Sequence, residues 1–128
     1  MSGSYDILLA VFAGGGLGSL FRYGLSGAVY RMAGQDFPFG TLAVNIAGSL
    51  FLGFLAEITE SRVLLPPALK VFFTIGLCGG FTTYSTFSYE TYTLISQGSW
   101  MPAMINIVLS LVLCLAGIFA GIQLARLV

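Results

Sequence analysis

Histidine is missing from this chain and charge is nearly so: its 128 residues carry five lysines and arginines and five aspartates and glutamates, 8% of the total, with no net charge. The absence of histidine removes the commonest general base and metal ligand. Soluble domains carry about 25% charged residues. A surface this poor in charge, on a chain that is 57% hydrophobic with a mean hydropathy of +0.95, cannot face water and belongs in a membrane. No basic patch is present to hold nucleic acid. Cys78 and Cys114 both stand in apolar runs and are too few for a disulfide framework. No positive region precedes the first apolar run, and Asp6 stands ahead of it, which argues against a cleavable leader. The glycine-rich "GGGLGSLFR" contains neither a G-x-G-x-x-G register nor the Lys-Ser/Thr of a phosphate loop.

What the chain does have is long apolar runs. About 20 such residues cross roughly 30 Å of hydrocarbon. Runs of that kind predict helices over about 5–31, 39–57, 68–98 and 101–126, in a single domain covering 1–128. Backbone groups in lipid must be satisfied internally, and the runs are too continuous for a β-barrel. The fold class expected is therefore an all-α integral membrane protein with four transmembrane helices. Ala10, Gly14 and Gly18, and again Gly117 and Gly121, place small residues at spacing four, which suits close helix packing. So small a bundle has little room for an internal pathway, and an oligomer is expected. Arg62, Lys70 and Arg126 fall on one side of the membrane, and Arg31 with the deeper Arg22 on the other. This weak bias fits insertion in one orientation or in both.

The unusual stretch is "GLCGGFTTYSTFSYE", Gly76 to Glu90, which sets polar residues deep in the third run. Glycine weakens a helix, so a break is expected near 79–83. Irregular backbone at membrane depth survives only against protein or water, where its freed groups can hold ions. Beyond the break Tyr84, Phe87 and Thr91 share one helical face, with Ser85 and Thr86 beside them. Ring edges are positive. With hydroxyl donors they make a lining that suits a small anion, or else a plain aromatic core. Asn45 in the second run, and Asn106 and Ser110 in the fourth, either bond helices together or offer donors to a passing anion. Arg22 and Glu90 are ionisable groups within spans, either functional or held in structural salt bridges.

Three blocks, "GGGLGSLFRY", "GTLAVNIAGSLFLG" and "GLCGGFTTYSTFSYE", occur in an order that resembles the bacterial Fluc (CrcB) family of fluoride ion channels. The resemblance covers essentially the whole chain. It implies an antiparallel, dual-topology homodimer in the bacterial inner membrane, passively exporting fluoride through two pores per dimer. It places the pore asparagine at Asn45, the two pore aromatics at Tyr84 and Phe87, and the hydroxyl track at Ser85 and Thr86, with Thr41, Asn106 and Ser110 completing the lining. It implies a structural sodium ion between protomers, bound by main-chain oxygens of Gly79 and Thr82, and no enzymatic chemistry. Tyr84 departs from the usual phenylalanine and adds a hydroxyl. The alternative reading is a small proton-coupled multidrug exporter using Glu90, although such exporters carry their glutamate in the first helix, where this chain has none.

Overall fold

A computed structural model describes residues 2–61 and 64–128, and Arg62 lies outside the described residues. The described residues form helices and short connections only. Helix α1 spans Ser2–Ala33 and α2 spans Phe39–Ser61. A rod over 67–81, here α3, comprises an α-turn at Pro67–Val71, a wider π-helical stretch at Phe72–Cys78 and a closing turn at Gly79–Phe81. Helix α4 spans Tyr84–Ser96 and α5 spans Trp100–Leu127.

The sequence punctuates these elements in recognisable ways. Gly34 follows α1 with φ of +87° and donates its N–H to the Tyr30 carbonyl at 2.9 Å. Gly98, with φ of +78°, ends α4: its N–H reaches Ile95 O at 3.0 Å, and Ser99 N–H reaches Leu94 O at 2.8 Å. That is a Schellman cap, which glycine enters without Cβ strain. Pro67 opens α3 at the one helical position where a missing N–H costs nothing.

Helices α1, α2 and α5 are each long and apolar enough to cross a membrane, but the third run is not a continuous span. Thr82 and Thr83 are extended, with ψ of 158° and 117°, so α3 and α4 are separate and neither is long enough alone. The other helices outrun the expected ends, α2 as far as Ser61 and α1 as far as Ala33. Hydropathy locates the hydrocarbon core, whereas helix hydrogen bonding continues into the interface, where glutamate is a good helix former. Glu57, just ahead of that extension, accepts from Arg126 Nε at 3.0 Å and ties the end of α2 to the end of α5.

The small-residue stripes sit at the tightest backbone approaches. Gly14 lies against the backbone of Phe72 and Gly76, and Gly18 against that of Leu77 and Phe81, seating α3 on α1. On the other side, Gly53 faces the Ile118 backbone and Gly121 the Leu50 backbone, seating α5 on α2. Polar Thr41, Thr83, Thr91 and Asn106 are buried, whereas Phe12, Leu20, Leu111 and Phe119 point outward. This distribution inverts that of a water-soluble bundle and fits a protein solvated by lipid.

Gly121→Val tests the α2–α5 contact. A side chain there meets Leu50 and Phe54 backbone, which cannot retreat. Overpacking of about 1–3 kcal/mol or more is expected, read as a lower melting temperature in detergent. Gly24→Ala, where a Cβ meets nothing within 4 Å, is expected to leave the melting temperature unchanged or raise it.

Candidate functional site

The site is organised by the break between α3 and α4. Thr82 closes α3 by turning both its N–H and its hydroxyl onto the Cys78 carbonyl, each at 2.9 Å. Thr83 then caps α4, its Oγ1 accepting from Thr86 N–H at 3.2 Å. Such caps replace the missing intrahelical partner of a first-turn amide. The backbone of Thr83 itself belongs to no helix. Asn45 on α2 supplies both of its partners: Oδ1 accepts from Thr83 N–H at 2.8 Å, and Nδ2 donates to Thr83 O at 3.1 Å. One primary amide thus replaces the helical partner that the Thr83 N–H has lost and adds a second donor to the Thr83 carbonyl, which as the N-cap acceptor opens the α4 ladder. One Nδ2 proton is left over.

Thr83 is also a wall shared by two cavities. On one side is a groove of about 500 Å³, whose lining includes Asn45, Thr82, Tyr84, Phe87 and Ser110. The rings of Tyr84 and Phe87 lie 5.5 Å apart, tilted by 46°. On the other side is a basin of about 370 Å³ lined by Arg22, Tyr23 and Val44 and by the hydroxyls of Ser19, Ser26, Thr41, Thr83 and Thr86. No carboxylate lines this basin. Among the described residues Arg22 has no carboxylate within ion-pair distance, so its charge is left to the cavity. A third cavity of about 750 Å³ opens by the α1–α2 connection, where Tyr30, Asp36, Glu90 and Gln97 are among the lining residues.

The residues singled out from sequence therefore fall into distinct environments. Asn45, Tyr84, Phe87 and Ser110 share the groove, and Thr41 and Thr86 share the Arg22 basin. Ser85 is exposed beside Thr83, with the two hydroxyls 3.4 Å apart. Asn106 lines neither cavity. It is 1% exposed and donates to Thr91 Oγ1 at 2.9 Å, while Thr91 donates to the Phe87 carbonyl at 2.7 Å. This chain of bonds joins α4 to α5, so Thr91 turns toward the helix seam and not toward the groove. Ser110 Oγ stands 3.5 Å from Asn106 Oδ1 and bridges that seam to the groove. Gly79 is exposed, and a Cβ there would meet nothing within 4 Å.

Among the described residues neither Arg22 nor Glu90 forms a salt bridge. Glu90 is held by hydroxyls: Oε1 accepts from Tyr30 OH at 2.8 Å and from Thr41 Oγ1 at 2.9 Å. Its Oε2 is buried without a partner among the described residues. Sequence reasoning missed Thr83, Tyr30, Ser19 and Ser26. The signal for Thr83 was present, since a threonine just after a glycine-weakened turn and ahead of a helical run is a capping pattern. Tyr30 carried none, because its partners are 11 and 60 residues away in the chain.

Fold and site together define a multi-pass, all-helical membrane protein whose third span is interrupted beside a cationic, hydroxyl-lined basin. The family model described as "CrcB-like protein, Camphor Resistance (CrcB)" matches residues 9–122. A "Fluoride-specific ion channel FluC" of Geobacter sulfurreducens is 45% identical over 119 residues, covering 93% of this chain and 96% of that protein. One of the same name from Rhodospirillum rubrum is 48% identical over 115 residues, covering 88% and 89%. The chain belongs to the CrcB family.

Asn45→Asp tests the anchor at the break. The aspartate keeps the acceptor for Thr83 N–H but replaces the Nδ2 donor with an oxygen set against the Thr83 carbonyl. A loss of about 1–3 kcal/mol is expected. Thermal unfolding in detergent measures it, and a melting temperature equal to wild type is the contrary result.

Proposed function

We propose that this chain is a passive, fluoride-selective anion channel, a reading that the names of its relatives suggest, and that it works in the bacterial cytoplasmic membrane as an antiparallel homodimer with two pores. The observation that carries the reading is the Arg22 basin: an unneutralised guanidinium and hydroxyl donors, with no carboxylate in the lining, beside an interrupted span. Arginine draws an anion in, and neutral donors then replace its water without holding it too tightly. That balance is what conduction needs. The aromatic edges of Tyr84 and Phe87, the spare Asn45 proton and the Ser110 hydroxyl extend the same chemistry along the groove. From an acidic medium neutral HF crosses into the cell and dissociates there, and a negative-inside potential drives the ion out with about 2.3 kcal/mol per 100 mV. No bond is made or broken, and no enzymatic step is required. Glu90 does not fit the proton-coupled exporter, because that reading needs a glutamate in the first helix.

A second copy is favoured by the outward side of α4. Tyr84, Tyr89 and Tyr92 are 80%, 72% and 66% exposed in the protomer, and Ser85 and Ser88 are exposed with them. Lipid cannot satisfy this hydroxyl-rich strip, whereas another protomer can. Gly79 and Thr82 suit a structural sodium ion. Thr83 N–H, which would continue the ladder to the Gly79 carbonyl, is diverted to Asn45, and Thr82 is extended, so its carbonyl leaves the helical ladder. Unwound carbonyls of this kind are neutral, hard donors for an alkali cation. When bound, the ion would supply positive charge to the break and join carbonyls of two chains.

Proteoliposomes loaded with potassium fluoride, opened with valinomycin and followed with a fluoride electrode, are expected to show efflux far faster than that of chloride. No efflux from folded protein would overturn the proposal. Phe87→Ile, which removes a ring edge at similar volume, is expected to slow efflux at least tenfold with normal size-exclusion behaviour. Gly79→Val separates protomer from assembly. Because the protomer leaves that position open, the expected effect is loss of dimer on dilution. Prolonged exchange of sodium for a large organic cation is expected to have the same effect, since an ion bound only by the assembly stabilises it by mass action.

A further inference from the structure

The Tyr30–Glu90–Thr41 cluster lies between two cavities that share no lining residue. Tyr30 and Glu90 line the outer cavity, and Thr41 lines the Arg22 basin. The Thr41 hydroxyl that faces the basin is the one that donates to Glu90 Oε1 at 2.9 Å. A carboxylate therefore sits one hydrogen bond away from a basin whose one charged lining residue among the described residues is Arg22, with no carboxylate within ion-pair distance of it. Opposite charges attract strongly where the surroundings are poorer in water than bulk solvent. A mobile Glu90 would be drawn to Arg22, cancelling the charge and filling the space an entering anion needs.

What opposes that movement is a single anchored oxygen. Oε1 accepts both hydroxyls, and Oε2 has no partner among the described residues. Tyr30 is the firmer of the two anchors. Its ring lies against the Gly40 backbone where α2 begins, and the absence of a Cβ at Gly40 makes room for it. Its hydroxyl donates to Glu90 Oε1 at 2.8 Å, beside the 2.9 Å bond from Thr41.

We propose that Tyr30 is a positioning residue that holds the Glu90 carboxylate out of the Arg22 basin, keeping the basin open to an anion from solution. The inference rests on the channel reading and adds a role to an α1 residue outside the basin itself. Tyr30→Phe keeps the ring and its seat on Gly40 while releasing Glu90. Fluoride efflux from liposomes is expected to fall at least tenfold. In a Glu90→Gln background the same Tyr30→Phe change is expected to alter efflux by less than twofold, because an amide has no charge to lose to Arg22. A purely structural tyrosine would cost the same in both backgrounds.

Equal losses in the two backgrounds, or no loss in either, would overturn the proposal. So would a folded Glu90→Gln protein without efflux, since the charge would then be needed in the pathway. If Tyr30→Phe does not yield folded protein, Tyr30→Met removes the same donor, and its loss of efflux is likewise expected to be relieved by Glu90→Gln. An absence of wild-type efflux would instead sink the channel reading, so the two failures are distinguishable.

Discussion

The pairing of the Asn45 amide with the backbone of Thr83 is the interaction on which the rest of the molecule depends. A break inside an apolar run strands an N–H and a C=O, and each costs roughly 1–3 kcal/mol when buried without a partner. Lipid has nothing to offer them. A side chain carrying both a donor and an acceptor, fixed on a neighbouring continuous helix, takes the stranded Thr83 N–H and at the same time braces the Thr83 carbonyl that opens α4. It also sets the direction of α4, because the residue it grips is the helix cap. Tyr84 and Phe87 in the first turn of α4 then enter one cavity while Thr86 enters the other. Local backbone satisfaction and the layout of the site are therefore one problem with one solution.

Around that point the packing is made by backbone more than by side chains. Glycines let α3 settle on α1 and α5 on α2 at distances where a methyl group would collide. In lipid, apolar side chains gain little by leaving one greasy surface for another, so close van der Waals contact and buried polar bonds carry the association. The Asn106–Thr91–Phe87 relay plays this part between α4 and α5. It accounts for an asparagine that is 1% exposed in a helix otherwise turned largely to lipid.

The global architecture was legible in the sequence because hydrocarbon thickness and backbone satisfaction leave few choices. The interruption near Gly79–Thr83 was legible for the same reason: glycines and threonines cluster where only a protected break survives. The partners of individual polar groups were not legible. Asn106 and Ser110 share a helix face and looked alike, yet one is sealed in a seam and the other reaches a cavity. Their difference is set by Thr91, across an interface that no periodicity within one helix encodes. Arg22 and Glu90 each left a salt bridge open as one reading. Hydroxyls on α1 and α2 reached Glu90 first, and those contacts depend on tertiary placement alone.

On the proposed reading, the separation of those two charges is what makes the basin useful. A guanidinium neutralised by a carboxylate is a poor attractant, and one left wholly bare in lipid is expensive. Lining Arg22 with serine and threonine hydroxyls supplies polarity without opposite charge. The field of the cation then stays available to an incoming ion while its burial is softened. Beyond the Thr83 wall the groove offers ring edges, an amide and hydroxyls, with no full charge. A neutral hydrogen bond contributes only about 1 kcal/mol net, or roughly 1.5–3 kcal/mol when one partner is charged. An anion passing from the basin to the groove thus trades one strong attraction for several weak ones, which lets it enter and then leave.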